Sequence, residues 1–95
     1  MPKFDSLNID QAWQLEQCVR IARDVCENRG VLWTEMLSQR VAKHIVNARH
    51  EYFARAYKTT KASLVTIGRV IDKDHTTVMH ALKLLKSTQI NHPSS

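Results

Sequence analysis

Helix breakers and cross-linking residues are scarce in this chain. Of its 95 residues only two are glycine, Gly30 and Gly68, and its two prolines, Pro2 and Pro93, stand at the ends. With so few breakers inside, four to six helices joined by short loops are the natural expectation. The length suffices for one domain and is too short for two. Cys18 and Cys26 are the only cysteines and lack the CxxC spacing of a redox or zinc pair. Eight positions on a helix put them roughly 80° apart, as two core thiols. No apolar run approaches the ~18 residues of a membrane span, and the N-terminus shows no signal-peptide core, so a reducing, cytoplasmic setting is expected. A GxxxxGK[ST] phosphate loop is also missing, and no nucleotide or other cofactor is expected.

What the chain does have is an uneven charge. Residues 1–39 carry Lys3, Arg20, Arg23 and Arg29 against Asp5, Asp10, Glu16, Asp24, Glu27 and Glu35, a net of −2. From residue 40 onward Arg40, Lys43, Arg49, Arg55, Lys58, Lys61, Arg69, Lys73, Lys83 and Lys86 face only Glu51, Asp72 and Asp74, a net of +7. Clustered cations of this kind suit a polyanion, whose phosphates they neutralise with release of counterions. Solubility alone is the plainer explanation of the same charge.

The apolar spacing resolves the chain into segments. Asn8 or Asp10 can cap a first helix running to about Asn28, with Trp13, Cys18, Ala22, Val25 and Cys26 on its core stripe and Gly30 ending it. A short second helix follows Trp33, with Thr34 as cap candidate. A third spans about His44 to Lys58, its apolar face made by Ile45, Ala48, Tyr52, Phe53 and Ala56. After a break at residues 59–62, Ser63 caps a short fourth helix containing Leu64, Ile67, Val70 and Ile71. Gly68 inside that helix costs about 1 kcal/mol against alanine, which a close backbone crossing with a neighbouring helix would justify. Asp72-Lys73-Asp74 is a polar turn, and Asp74 caps a fifth helix with Val78, Ala81, Leu82 and Leu85 on one face. Residues 87–95 are expected as a frayed tail. The fold class expected is all-α, a compact bundle of about five helices.

Two short helices joined by a few residues, the second opening on small polar side chains, form a helix-turn-helix pattern. Such a helix presents its first turn to the major groove. Asp74 can accept from cytosine N4, His75 can donate or accept, and the methyl of Thr76 or Thr77 can meet a thymine methyl. Each residue has an ordinary alternative: Asp74 as a helix cap, His75 as a solvated histidine, the threonines as first-turn residues.

The run Asp-His-Thr-Thr-Val-Met-His-Ala, preceded by Ser-Leu-Val-Thr-Ile-Gly, resembles the C-terminal DNA-binding domain of the bacterial replication initiator DnaA. The resemblance covers about residues 34–86. It implies a helical fold like that of the Trp repressor and recognition of a short asymmetric box in double-stranded DNA. Asp74, His75, Thr76 and Thr77 fall on the family's major-groove readers, with Lys73 beside them. Arg49 and His50 fall on its phosphate contacts, and Lys58 stands beside Tyr57 at another. Thr60, Ser63 and Val65 fall on residues that touch DNA ahead of Ile67-Gly68, and Arg40 or Lys43 is nearest to a minor-groove arginine. A Gly-Gly pair usual before the signature is replaced by Ile71-Asp72-Lys73 with one residue fewer, and the basic loop is thinner than the family's.

The expectation is a stand-alone, sequence-specific DNA binder rather than an enzyme, since neither His75 with Asp74 nor the cysteines have the orienting groups catalysis needs. It would act in replication or transcription control, and the first helix could meet a second copy or another replication protein. The competing class is a protein-interaction module that kept the fold and lost specific DNA binding.

Overall fold

The computed structural model describes residues 9–91, and among them the chain forms five helices and no strand. The long helices α1 (Ile9–Arg29) and α3 (Lys43–Thr60) lie antiparallel, as cross-links along their length show. Near one end Cys18 Sγ sits 3.7 Å from Thr60 Oγ1, then Arg55 meets Asp24 at 3.0 Å, and Arg29 pairs with Glu51 at the other end. Helix α1 buries Cys18, Ala22, Val25 and Cys26, which recur at helical spacing and so share the face turned to α3. It stops where expected. Gly30 takes φ +66° and the Val31 amide donates to Cys26 O at 3.0 Å, the closing bond of a Schellman turn. Asn8 lies outside the described residues, and Asp10 is inside the helix rather than its cap.

Trp13 departs from expectation: it is 56% exposed. The cause is reach. Thr60 ends α3 opposite Cys18, so the turns of α1 before Cys18 extend past the helix they would pack on.

Helix α2 (Trp33–Leu37) is short and buries Met36. Its N-cap is Leu32, not Thr34; the Glu35 carboxylate caps it by accepting from the Leu32 amide at 2.9 Å. Central α3 is packed by each of the other four helices. It buries Ile45, Ala48, Tyr52, Phe53 and Ala56, and ends at Lys61 in the left-handed conformation with φ 58°. Both cysteines are free and buried, and burial pushes their thiols above the ordinary range. Tyr52 donates to Ile67 O at 2.6 Å, which ties α3 to α4 (Leu64–Val70) and leaves the buried hydroxyl satisfied. Ser63 caps α4 by accepting from the Thr66 amide at 3.2 Å. Helix α5 (His75–Asn91) buries Val78 and Ala81, and it continues past the expected end at Ser87. Residues 92–95 of the expected tail lie outside the described residues.

Gly68 has its close approach, but to the turn rather than to a crossing helix. A Cβ at this position would sit 2.5 Å from Lys73 O and 3.1 Å from the Val78 side chain, while the Lys73 amide donates to Gly68 O at 2.8 Å. Because the nearer obstacle is backbone, Gly68→Ala should destabilise the domain by roughly 1–3 kcal/mol. Thermal melts check this, and a parental melting temperature would contradict so tight a contact.

Candidate nucleic-acid interface

Helix α4, the turn at residues 71–74 and the first turn of α5 form the helix-turn-helix. The turn is sharp because Asp72 adopts φ 58° and the amides of Ile71 and Lys73 both return to Gly68 O. Asp74 then starts α5: its carbonyl accepts from the Thr77 amide at 3.0 Å and from Val78 at 3.3 Å. Its carboxylate Oδ1 accepts from the His75 amide at 2.9 Å and lies 3.2 Å from His75 Nδ1. Asp74 therefore stands at the cap position, but its side chain bonds the first helical amide instead of reaching deeper into the turn.

Asp74, His75 and Thr77 are exposed and Thr76 is half-buried. Alongside them, Val65 is 47% exposed, Ser63 is exposed and Thr66 is half-buried. Val65, Arg69, Asp72, Lys73, Asp74 and His75 line a cleft of about 310 Å³ between α4 and the start of α5. Sequence reasoning missed Arg69. It is exposed, has no partner among the described residues and shares the face of Val65. The signal was available: Val65 and Arg69 are four apart on one helix, hence neighbours.

Three of the expected DNA contacts have their polar groups engaged within the fold instead. Arg49 is only 6% exposed, and its guanidinium is bound to backbone carbonyls. Nε donates to Met36 O at 3.1 Å, Nη1 to Arg40 O at 2.6 Å, and Nη2 to Glu35 O at 2.9 Å and Ser38 O at 2.7 Å. Burial lowers its pKa from the usual arginine value. A side chain so held stabilises the loop after α2 and has no free reach to a phosphate. Thr60 is 4% exposed; its hydroxyl donates to Ala56 O at 2.8 Å and accepts from the Ala62 amide at 3.1 Å, closing the end of α3. Lys73 lines the cleft but has its ammonium engaged, donating to Ser38 O at 2.6 Å and Leu37 O at 3.2 Å.

His50 and Lys58 are not brought to the start of α5. They line a groove of about 780 Å³ with Arg29, Tyr57 and, from later turns of α5, Met79 and Leu82. Burial lowers the pKa of His50, favouring its neutral form. Arg40 is exposed and pairs with Glu35 at 3.3 Å across the rim; Lys43, at the start of α3, is exposed.

The positive excess is thus partly used inside the fold. Arg55 pairs with Asp24 and Glu51, Arg40 with Glu35, and Arg49 and Lys73 hold carbonyls. Lys43, Lys58, Lys61, Arg69 and Lys83 remain exposed and unpaired among the described residues. No group of three or more potential metal-ligating side chains occurs there, and no helix is long and apolar enough to cross a membrane.

Two comparisons with known proteins bear on this geometry. The family described as bacterial dnaA protein helix-turn-helix matches residues 18–84, which takes in α2 to α4, most of α1 and the first turns of α5. No solved structure matches the chain.

Proposed function

The chain belongs to the bacterial DnaA helix-turn-helix family, a family of DNA-binding domains, and from that premise we propose that it binds duplex DNA sequence-specifically at initiator-box-like sites. The first turn of α5 enters the major groove, where Asp74, His75, Thr76 and Thr77 meet base edges and Val65 offers a methyl contact. Ser63 and Arg69 face the backbone beside it, and Arg40 and Lys43 bring further charge from the loop after α2 and the start of α3. The observation that carries this reading is the shared cleft of Val65, Arg69, Asp74 and His75, which sets polar readers, an apolar contact and an unpaired cation on one face. The role is control of replication or transcription at such sites on the nucleoid, with no catalytic step.

Arg69 supplies a direct test. Removing one phosphate contact lowers the slope of log K against log salt by about 0.9 on B-DNA and weakens matched and scrambled duplexes alike. Arg69→Ala should do both in a salt titration followed by fluorescence anisotropy. An unchanged slope would place the backbone elsewhere. Exposed Trp13 favours the second reading, a protein-interaction module working through α1. Parent protein that binds matched and scrambled duplexes equally would support that alternative.

A further inference from the structure

We propose that Lys73 is a positioning residue: it fixes the loop after α2 against the start of α5, so that Arg40 and the first turn of α5 meet DNA as one surface. This rests on the duplex-reading role above. Among the described residues α2 packs on α1 and α3 and makes no helix-to-helix contact with α4 or α5. Its end is nevertheless tied to the helix-turn-helix, because the Lys73 ammonium holds Ser38 O and Leu37 O, residues 35 and 36 positions away in sequence. A helix end leaves carbonyls without intrahelical partners, and a cation there satisfies them and meets the negative end of the helix dipole. Helix α2 is five residues long and receives two such cations, Arg49 from one side and Lys73 from the other.

The two have different work. Arg49 binds Glu35, Met36, Ser38 and Arg40 carbonyls and folds the loop on itself. Lys73 reaches the loop from the turn that precedes Asp74. Its own backbone is fixed, since its amide donates to Gly68 O and its carbonyl lies against the bare Cα of Gly68. Like charges do not converge on one set of carbonyls without cost: desolvation and then the Arg49 charge lower the Lys73 pKa, against an opposing effect of Asp72. Solubility alone would place this lysine in water. Arg40 follows Ser38 by two positions, and its rim pair with Glu35 at 3.3 Å is weak enough to yield to a phosphate.

The test is a double-mutant cycle on a duplex selected by the parent from a random pool. Lys73→Met keeps much of the aliphatic stem and removes the donors. Arg40→Ala should weaken parent binding about fivefold or more but add little in the Lys73→Met background, and Lys73→Arg should restore the effect. An Arg40→Ala effect equal in both backgrounds overturns the proposal and makes Lys73 an independent contact. Amide hydrogen exchange of the free protein separates this from failure of the DNA-binding reading. Lys73→Met should speed exchange at residues 39–42 while α5 stays protected, even if no duplex preference is found. Unchanged exchange there overturns the proposal by itself.

Discussion

Arg49→Ala should lower the stability of the domain by about 2–4 kcal/mol, because hydrogen bonds to a charged group are worth roughly 1.5–3 kcal/mol net and several would be lost together. The other ties of the loop after α2 are fewer: Lys73 reaches Leu37 O and Ser38 O, and the Arg40 amide donates to Ser38 Oγ. Carbonyls of Glu35, Met36, Ser38 and Arg40 converge on the Arg49 guanidinium, and part of the loss would be returned by water reaching the loop. For a domain of this size the change corresponds to a fall of roughly 10–25 °C in melting temperature. Thermal and urea melts measure it. The family resemblance would have Arg49 on a phosphate instead, and the two roles separate cleanly. A phosphate contact leaves the melt unchanged and flattens the salt slope by about 0.9. A stable Arg49→Ala protein with a flattened slope would return Arg49 to the interface.

The second large effect concerns base discrimination. Asp74→Asn keeps an oxygen that can accept from the His75 amide, the contact seen at 2.9 Å, so the melting temperature should stay close to the parent's. An amide, however, presents a donor where a carboxylate presents only acceptors, and the preference for cytosine at one base pair should fall by about 1–3 kcal/mol, roughly 5- to 150-fold. Thr76→Ala should relax preference at a neighbouring pair through loss of its methyl contact, again without a change in the melt. Binding of each variant to a panel of single-substitution duplexes, beside thermal melts, reads both effects. If Asp74→Asn binds every duplex as the parent does, Asp74 serves only to start the helix.

Most of the architecture was legible because it follows from local rules. The recurrence of Cys18, Ala22 and Val25, the left-handed turn at Gly30 and the Ser63 cap each depend on residues within a turn or two. What could not be read locally was where one element ends against another. Trp13 has the spacing of a core residue, but α3 stops before reaching it. Arg49 and Thr60 have the residue types of DNA contacts, yet their partners are backbone carbonyls and amides, which carry no mark in the sequence. Lys73 sits beside the readers in sequence, and only the fold shows its ammonium turned to Ser38. Gly68 was anticipated in kind, with its obstacle the turn at Lys73 instead of a helix. At the proposed interface, the position of Asp74 to Thr77 at the start of α5 could be read from sequence, while Arg69 needed its four-residue spacing from Val65 to be taken seriously.

The claim that DNA lies against the first turn of α5 is tested most directly by following backbone amide shifts of the isotopically labelled protein as a selected duplex is added. Shift changes should concentrate at residues 63–66, 69 and 74–77, with a second set at 40–43, and the α1 residues 18–29 should move little. Scrambled duplex should perturb mainly the cationic positions and saturate at higher concentration. Changes centred on α1 or on the groove between α3 and the later turns of α5, with residues 74–77 unmoved, would contradict the helix-turn-helix as the reading surface.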